Sequence, residues 1–320
     1  MSTQRPTGRL GPAELVQLTT VARRFHLDQR TKVQIADEFG LSRFKVARLL
    51  ERAQAEGLVR IEIGRPAEID TDLSEAVRSR LGLAHAIVAD VHDDDLAAIR
   101  REVARVAADH LGELTEPGDV VGLAWGRALH ELTTQLGRLP QCVAVQLCGA
   151  LPRTDVDASS VDITRRLADA AHGSAVTFYA PLLVPDADTA AALRGEPGIA
   201  EALAHYPRLS VAVVSIGAWE PELSTVYDAL TEDERAALRD AGAVAETCGI
   251  VLAADGQPLE PGLRDRVIGV SPDELRTTDR VVAIAYGDQK ADAVRVTRRA
   301  GIGTSLVTHT ALAKRLLAED

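Results

Sequence analysis

The sequence predicts an α/β protein in two parts, a small N-terminal helix-turn-helix domain and a large C-terminal domain built on a mostly parallel sheet. Helix signals follow one another in register between residues 13 and 57, and from residue 86 onward apolar runs alternate with helical stretches. Charge divides the chain in the same way, because residues 1–65 carry a net charge of +5 and the remainder carries −16. With 320 residues, of which 46% are hydrophobic, the chain is long enough for two unequal domains.

The N-terminal part begins with signals for three consecutive helices. In residues 13–25, apolar side chains recur at steps of three and four, which is typical of an amphipathic helix. Thr31 and Gln34 have the spacing of a capping box and predict the start of a second helix. Gly40 predicts a left-handed turn at the end of that helix, and Ser42 predicts the N-cap of a third.

The third helix is predicted to run from Arg43 to about Glu56, where Gly57 ends it. Residues 58–63 then alternate in polarity like the short strand of a wing. A Gly-Arg-Pro segment interrupts the pattern after that point. We therefore expect a winged helix-turn-helix domain over residues 1–65 and an α/β domain over residues 66–320.

The start of the third helix is the candidate DNA-binding surface. In a helix-turn-helix, the first turn of the second helix of the motif contacts base edges in the major groove. Arginine can donate to both major-groove acceptors of guanine, and a helix N-terminus favours phosphate. The alternative is a helical hairpin whose charged face is only solvated. The residues expected to contact double-stranded operator DNA are Thr31, Lys32, Ser42, Arg43, Phe44, Lys45 and Arg48.

The C-terminal part alternates between strand-like and helical segments. Alternation of this kind predicts a mostly parallel sheet with helices on both faces. Helices are predicted over residues 69–81, 94–111, 127–136 and 159–171. Strands are predicted over residues 86–89, 120–124, 143–147, 176–179, 209–216, 250–253, 267–270, 281–285 and 304–307.

Three glycine-containing loops, at residues 122–127, 216–219 and 286–290, follow predicted strands. Ligands of open α/β sheets bind at the carboxyl ends of the strands, so these loops predict a ligand site. Glycines there let backbone amides approach a phosphate, and Arg127 would add positive charge.

The role of one lysine and two tryptophans in these loops is open to two interpretations. Lys290 stands at the opening of a predicted helix, either as part of the ligand site or as a solvated helix lysine. Trp125 and Trp219 are either core residues or a stacking surface for a sugar.

Composition argues against several classes of protein. No stretch reaches the roughly 18 apolar residues of a membrane span, and the N-terminal residues lack the apolar core of a signal peptide. We therefore expect a cytoplasmic protein with no membrane partner. Cys142, Cys148 and Cys248 form neither a disulfide framework nor a zinc motif and are expected to be buried thiols. No metal site and no cofactor are predicted.

Residues 31–63, TKVQIADEFGLSRFKVARLLERAQAEGLVRIEI, resemble the DNA-binding region of the SorC family of bacterial sugar-sensing transcriptional regulators, sometimes grouped with DeoR. Eight later blocks resemble that family in the same order, and together they are far more specific than one glycine loop. The likeness covers nearly the whole chain after about residue 12. The blocks are residues 120–132, 143–151, 178–184, 215–221, 238–244, 254–259, 266–276 and 283–294.

The resemblance implies a C-terminal domain with a Rossmann-like fold, similar to sugar-phosphate isomerases and deaminases. It implies that this domain binds a sugar or sugar-phosphate effector that changes operator affinity, in a homo-oligomer that is a dimer or tetramer. By matching position, with Trp125 added as the stacking candidate, the effector-binding residues would be Gly122, Trp125, Gly126, Arg127, Gln146, Gly217, Asp255, Gly287 and Lys290.

The chain departs from the family pattern at three expected ligand positions. Ala128 stands where phosphate-binding relatives place a threonine, Ala245-Glu246 replaces a Gly-Asp pair, and Thr308-His309 replaces a Thr-Asp pair. These departures predict an effector that is unusual, unphosphorylated or absent.

The leading hypothesis is therefore a DNA-binding transcriptional regulator without enzymatic activity. Its rival is a sugar-phosphate isomerase or deaminase with an appended helical domain, for which Asp255, Glu246, Asp288 and His309 are candidate acids and bases by residue type. No spacing among these four specifies an acid/base pair. A purely structural assembly protein would leave the basic helix without a purpose.

Overall fold

A computed structural model describes residues 10–59, 68–93, 95–151, 159–259 and 263–318. The chain forms two compact units, Met1–Gly64 and Arg65–Asp320. The division lies one residue before the end of the domain expected from the sequence. Each unit is described by itself below.

The first unit contains three helices, α1 (Pro12–His26), α2 (Lys32–Phe39) and α3 (Arg43–Ala55). The predicted capping box is confirmed, because the Thr31 hydroxyl accepts from the backbone N–H of Gln34 and the Gln34 side chain accepts from the backbone N–H of Thr31. Gly40 has a φ of 61°, and the Ser42 hydroxyl accepts from the backbone N–H of Lys45. Side-chain caps and a left-handed glycine therefore fix the bounds of α2 and the start of α3.

The helices of the first unit enclose a small apolar core. The fully buried positions recur along one face of each helix, as the periodicity predicts. Leu15, one of the periodic apolar residues in the segment 13–25, is 40% exposed. The predicted wing lies mostly outside the described residues, and only Leu58 and Val59 of it are seen, in a turn after α3. The core residues are Leu18, Val21, Ala22, Ile35, Ala36, Val46, Leu50 and Ala53.

The second unit contains a seven-stranded sheet in which every pairing is parallel. This confirms the predicted mostly parallel sheet. Its inner strands are runs of Val, Ile and Ala that are buried on both faces, which requires helices above and below. The strands of the unit are β1 (His85–Ala89), β2 (Val120–Leu123), β3 (Val143–Gln146), β4 (Ser174–Val176), β5 (Val211–Ser215), β6 (Gly217–Ala218), β7 (Ala243–Thr247), β8 (Ile250–Ala253), β9 (Arg280–Ile284) and β10 (Ser305–His309).

Helices alternate with these strands along the chain. They are α4 (Thr71–Leu81), α5 (Leu96–Leu114), α6 (Arg127–Thr134), α7 (Ser160–Ala170), α8 (Ala187–Arg194), α9 (Pro197–Leu203), α10 (Thr225–Ala229), α11 (Glu232–Asp240), α12 (Pro272–Thr277), α13 (Ala291–Arg299) and α14 (Thr310–Leu317). Short 3₁₀ turns lie at Tyr206–Arg208, Arg264–Arg266 and Asp288–Lys290. Within the described ranges, no helix has both the length and the apolar character that crossing a membrane requires.

Two of the predicted strands are wrong as members of the parallel sheet. Residues 250–253 do form β8, but β8 belongs to a separate antiparallel sheet with β6 and β7. Cys248 and Gly249, with φ angles of 53° and 83°, make the two-residue turn between β7 and β8, a hairpin geometry that needs positive φ at both positions. Residues 267–270 form only isolated bridges, to Leu183 and Cys148, because no neighbouring strand runs beside them.

The strand order of the large sheet is β1-β10-β9-β5-β2-β3-β4. From β2 the chain moves outward to β3 and β4, and then returns to β5 on the other side of β2. Such a reversal leaves a crevice at the carboxyl ends of the two central strands, where open α/β sheets bind ligands. The residues that follow β2 and β5 therefore define the first place to look for a site.

Candidate functional site

A small cavity lies at the carboxyl ends of β2 and β5. Its volume is about 30 Å³, far below the roughly 300–1,000 Å³ of a typical ligand pocket, so a sugar would enter only if the surrounding loops moved apart. The lining combines two cations, one carboxylate and several hydroxyl groups. It consists of Gly126, Arg127, Ala128, Ser215, Ile216, Gly217, Leu223, Ser224, Thr225, Glu246, Ile284, Tyr286 and Lys290.

Lys290 is buried in this cavity rather than solvated on a helix. Its ammonium group donates to the carbonyl oxygen of Ile216 across 2.8 Å and lies 5.0 Å from the centre of the Tyr286 ring. Burial and, to a lesser extent, the nearby Arg127 guanidinium lower the pKa of Lys290 to about 8, and Glu246 opposes this shift. One of the three ammonium protons is thus used by the backbone, and the other two can be offered to a ligand.

Glu246 supplies the negative charge of the cavity. One carboxylate oxygen accepts from the backbone N–H of Gly249 across 2.7 Å, and the other accepts from the Ser224 hydroxyl across 3.1 Å. Burial raises the pKa of Glu246, although both hydrogen bonds and Lys290 oppose the shift. A Cβ atom on Gly217 would lie 3.1 Å from the same carboxylate, so glycine leaves room for it.

Glu246 is not among the effector residues predicted from the sequence. The sequence presents it only as a departure from the family pattern and as a candidate acid or base. The available signal was the single charged side chain within a short strand segment, AVAET.

Arg127 begins α6 directly after Gly126, whose φ of 128° is one that residues with a side chain rarely adopt. The Arg127 guanidinium donates to the carbonyl oxygen of Glu222 across 3.0 Å. The N-cap residue, Gly126, has no side chain with which to cap α6, and the first residues of the helix line the cavity. The first predicted loop therefore brings both a charge and a helix N-terminus to this place.

Five of the nine sequence-predicted effector residues lie outside the lining of this cavity: Gly122, Trp125, Gln146, Asp255 and Gly287. Gly122 lies within β2, where a Cβ would come within 2.4 Å of Leu147. Trp125 is buried in the core, which is the first of its two interpretations. Gln146 uses its side chain internally, donating to Cys148 and Ser160 and accepting from Phe178. Asp255 closes a turn by accepting from the backbone N–H of Gln257.

Gly287 lines a second, larger cavity of about 620 Å³. This cavity lies at the carboxyl ends of β1, β9 and β10, and the loop after β9 contributes Gly287, Asp288 and Gln289 to it. His309 lies in its lining and is buried. The loop 286–290 therefore contributes Tyr286 and Lys290 to one cavity and its middle residues to the other.

The start of α3 presents an exposed basic face. Arg43, Phe44, Lys45 and Arg48 are all exposed, and within the described residues no carboxylate pairs with any of the three cations. Three other arginines of the same unit are paired: Arg24 with Asp28 and Glu38, Arg30 with Glu38, and Arg52 with Glu14. Three unpaired cations on two helical turns leave a positive surface available to a polyanion.

The remaining predicted DNA contacts are partly occupied within the unit. The hydroxyls of Thr31 and Ser42 serve as helix caps, and the Lys32 ammonium lies 5.7 Å from the centre of the Phe25 ring. Their positions at the starts of α2 and α3 leave backbone amides for a phosphate.

Comparison with known proteins identifies the family. The family model Sugar-bind, described as "Putative sugar-binding domain", matches residues 65–318. The chain belongs to the SorC-type sugar-binding domain family. The full-length sorbitol operon regulator SorC of Klebsiella pneumoniae has a similar fold, with a TM-score of 0.73 and 21% identity over 96% of this chain and 100% of that one. The SorC resemblance predicted from the sequence blocks is thereby confirmed.

Relatives of this SorC-type chain carry the names of regulators. The erythritol catabolism regulatory protein EryD of Brucella abortus is 28% identical over 298 residues, which are 90% of this chain and 92% of that protein. The deoxyribonucleoside regulator of Bacillus subtilis is 25% identical over 275 residues, or 85% of this chain and 88% of that protein.

Proposed function

We propose that this SorC-type chain is a sequence-specific, DNA-binding transcriptional regulator that responds to a sugar or polyol. The observation that carries the DNA-binding part is the exposed, unpaired basic face at the start of α3. This face follows a tight turn between α2 and α3. In a helix-turn-helix, the helix after such a turn enters the major groove. Residues 1–65 are accordingly proposed as a winged helix-turn-helix domain.

The proposed contacts divide into two groups. Arg43 and Phe44 lie on the first turn of α3, where side chains reach base edges, and Arg43 has the donors to bind guanine at two points. Thr31, Lys32, Ser42, Lys45 and Arg48 would contact phosphates, which supply affinity but little sequence information.

Residues 66–320 are proposed as a Rossmann-like effector domain. The cavity at the reversal of strand order, with Arg127, Glu246 and Lys290 around it, has the charged and hydrogen-bonding groups that a polyhydroxylated ligand needs. Gly126, Gly217 and Gly287 would let the ligand approach the backbone there. The relatives' names mention sorbitol, erythritol and deoxyribonucleosides, and they suggest the same class of small carbohydrate for this chain.

The proposed mechanism couples the two units through an oligomer. A homodimer or homotetramer would present α3 helices at a fixed spacing to half-sites one or more helical turns apart. An effector that binds one arrangement of the oligomer more tightly than another shifts the population between them by its difference in affinity. Operator affinity then changes without any contact between effector and DNA.

The comparisons give the enzyme alternative no support, since the relatives are named as regulators. The candidate acids and bases are also dispersed. Glu246 lies in the small cavity, Asp288 and His309 in the larger one, and Asp255 in a turn outside both. Of the four, Asp288 and His309 share a cavity, but the Nε2 of His309 is already engaged by the backbone N–H of Gly287.

DNA binding is tested by fluorescence anisotropy with the DNA upstream of the protein's own gene. The full-length chain should bind one segment of that DNA more tightly than scrambled DNA of equal length. Arg43→Ala should weaken specific binding by about 5- to 150-fold, the equivalent of about 1–3 kcal/mol. Arg24→Ala is the matched control, because it removes a guanidinium that is already paired within the unit. Equal loss in both variants would contradict the assignment of α3.

Effector binding is tested by thermal shift. Sorbitol, erythritol, deoxyribose and their phosphates are screened, because a ligand that binds only the folded chain raises the melting temperature. The shift from any active compound should disappear in Lys290→Gln and persist in Lys314→Gln, which alters the larger cavity only. The opposite pattern would assign the effector to the larger cavity.

A further inference from the structure

Phe44 is the most exposed large apolar side chain in the part of the chain that the structure describes, at 83%. It is the second residue of α3 and lies among exposed cations, whereas Val46, Leu50 and Ala53 of the same helix are buried. A phenyl ring at this position contributes nothing to the core of the unit. Leaving it in water is unfavourable, so its place is explained by something that covers it on binding.

The backbone that carries Phe44 is held in place. The Ser42 hydroxyl accepts from the backbone N–H of Lys45 across 3.2 Å, which fixes the first turn of α3 on both sides of Phe44. Arg48 lies four residues later and therefore on the same face of the helix. A ring with two side-chain torsions on a capped turn loses little conformational freedom when it is buried.

The neighbours of Phe44 indicate what covers it. An apolar protein partner would have to bury the unpaired charges of Arg43, Lys45 and Arg48 along with the ring, at a large cost in desolvation. Duplex DNA neutralises those charges with phosphates and also offers an apolar group. In the major groove that group is the C5 methyl of thymine, and phenylalanine is among the side chains that contact it.

We propose that Phe44 determines sequence preference by packing on the C5 methyl of a thymine in the operator. This inference rests on the proposed DNA-binding function and adds a base that Arg43 does not specify. Arg43 would select guanine through two hydrogen bonds, and Phe44 would select thymine through shape and hydrophobic contact. Each half-site would then contain a guanine and a thymine close enough for the first turn of α3 to contact both.

The experiment removes the methyl group and nothing else. The full-length protein first selects a binding duplex from a random-sequence pool, and each thymine of that duplex is then replaced singly by deoxyuridine. Uracil pairs with adenine as thymine does but lacks the methyl. The wild-type chain should lose about fourfold in affinity at one thymine in each half-site, the factor that follows from burying one methyl group. Replacement of the other thymines should have no comparable effect.

Variants assign the effect to Phe44. Phe44→Ala should bind the thymine and uracil duplexes equally, whereas Val16→Ala, which truncates another exposed apolar side chain of the unit, should keep the wild-type ratio. Lys45→Ala should weaken binding to both duplexes by the same factor and also keep the ratio. Phe44→Leu, which has a smaller apolar side chain, should show a ratio of thymine-duplex to uracil-duplex affinity between those of the wild type and Phe44→Ala. Circular dichroism of each variant shows whether the helices are retained.

Two outcomes would overturn the proposal. One is a wild-type chain that binds every uracil-substituted duplex as tightly as the original. The other is a folded Phe44→Ala chain that still prefers thymine by the wild-type factor. If the wild-type chain selects no duplex at all, the proposed DNA-binding function itself fails, and that result is distinct from either of these.

Discussion

The imidazole Nε2 of His309 accepts a hydrogen bond from the backbone N–H of Gly287 across 3.1 Å. The bond joins the end of β10 to the loop after β9, whose residues line both cavities. Gly287 has a φ of 89°, so this loop adopts a backbone conformation that most residues avoid. Where the family pattern has an aspartate, this chain thus holds the loop with a neutral ring nitrogen.

That hydrogen bond should depend on pH. Burial lowers the pKa of His309 from the ordinary 6.5, although Asp288 opposes the shift, so Nε2 stays unprotonated at neutral pH and can accept. We expect the Gly287 amide to be protected from hydrogen exchange at pH 7 and to lose protection only at a pH below 6.5. His309→Ala should reduce its protection factor about fivefold at pH 7, the equivalent of about 1 kcal/mol for one hydrogen bond, and should abolish the difference between neutral and acidic pH. The amide of Gly149, which donates to a backbone carbonyl, is the control. Unchanged protection of Gly287 in the variant would contradict the assignment.

The charge of Lys290 should respond in opposite directions to its two charged neighbours. Arg127→Gln removes a repulsion and should raise the pKa of Lys290 above about 8, whereas Glu246→Gln removes an attraction and should lower it. Because the ammonium is lost as pH rises through this pKa, effector binding that needs it should weaken above about pH 8 in the wild type. The pH dependence of acylation at Lys290, read by mass spectrometry, measures the pKa in each chain. Equal values in all three chains would refute the electrostatic coupling.

Gly217→Ala should disturb the small cavity through space alone. Its Cβ would lie 2.9 Å from the Cβ of Ser224 and 3.1 Å from Glu246, so that a hydrogen-bonded pair must shift. We expect a loss of about 1–3 kcal/mol in the free energy of unfolding, as for other over-packed sites. Gly137→Ala is the matched control, since nothing lies within 4 Å of a Cβ there and its φ is not positive. The test is denaturant unfolding of both variants. Similar free energies of unfolding for the two would show that the cavity accommodates the added methyl group without strain.

The features that sequence predicted well are local ones. The capping box at Thr31, the left-handed Gly40 and the Ser42 cap each depend on residues within one turn, so the bounds of α2 and α3 could be predicted. The parallel sheet followed from long apolar runs, which require burial on both faces whatever their order.

The features that sequence missed depend on partners far along the chain. Residues 267–270 have strand-like composition, but a strand forms only where a neighbouring strand runs beside it, and here Leu183 and Cys148 offer single bridges. Lys290 was predicted for the ligand site, yet its burial depends on the carbonyl oxygen of Ile216, 74 residues earlier. Gln146 has the polar side chain of a ligand residue and is instead satisfied by three internal hydrogen bonds.

His110 should make stability depend on pH. It is buried in α5, and neither ring nitrogen has a hydrogen-bond partner in the described part of the chain, although Nδ1 lies 3.7 Å from the Glu113 carboxylate. Burial, followed by the nearby His85, lowers its pKa from 6.5, and Glu113 opposes the shift. In the unfolded chain His110 has the ordinary pKa and binds a proton below pH 6.5. In the folded chain the same imidazole binds that proton only at a lower pH. The contribution of His110 to stability is therefore complete above about pH 6.5 and is lost as pH falls below that value.

Replacement of His110 by leucine tests this dependence. The free energy of unfolding of the variant should be about 1 kcal/mol higher at pH 7, because leucine buries no unpaired ring N–H. It should also fall less steeply between pH 6.5 and pH 5. His92→Gln, which alters a histidine whose side chain is 73% exposed, should keep the wild-type slope. Denaturant unfolding at several pH values gives the slopes directly. A His110→Leu curve parallel to the wild-type curve would show that the proton taken up on acid unfolding binds elsewhere.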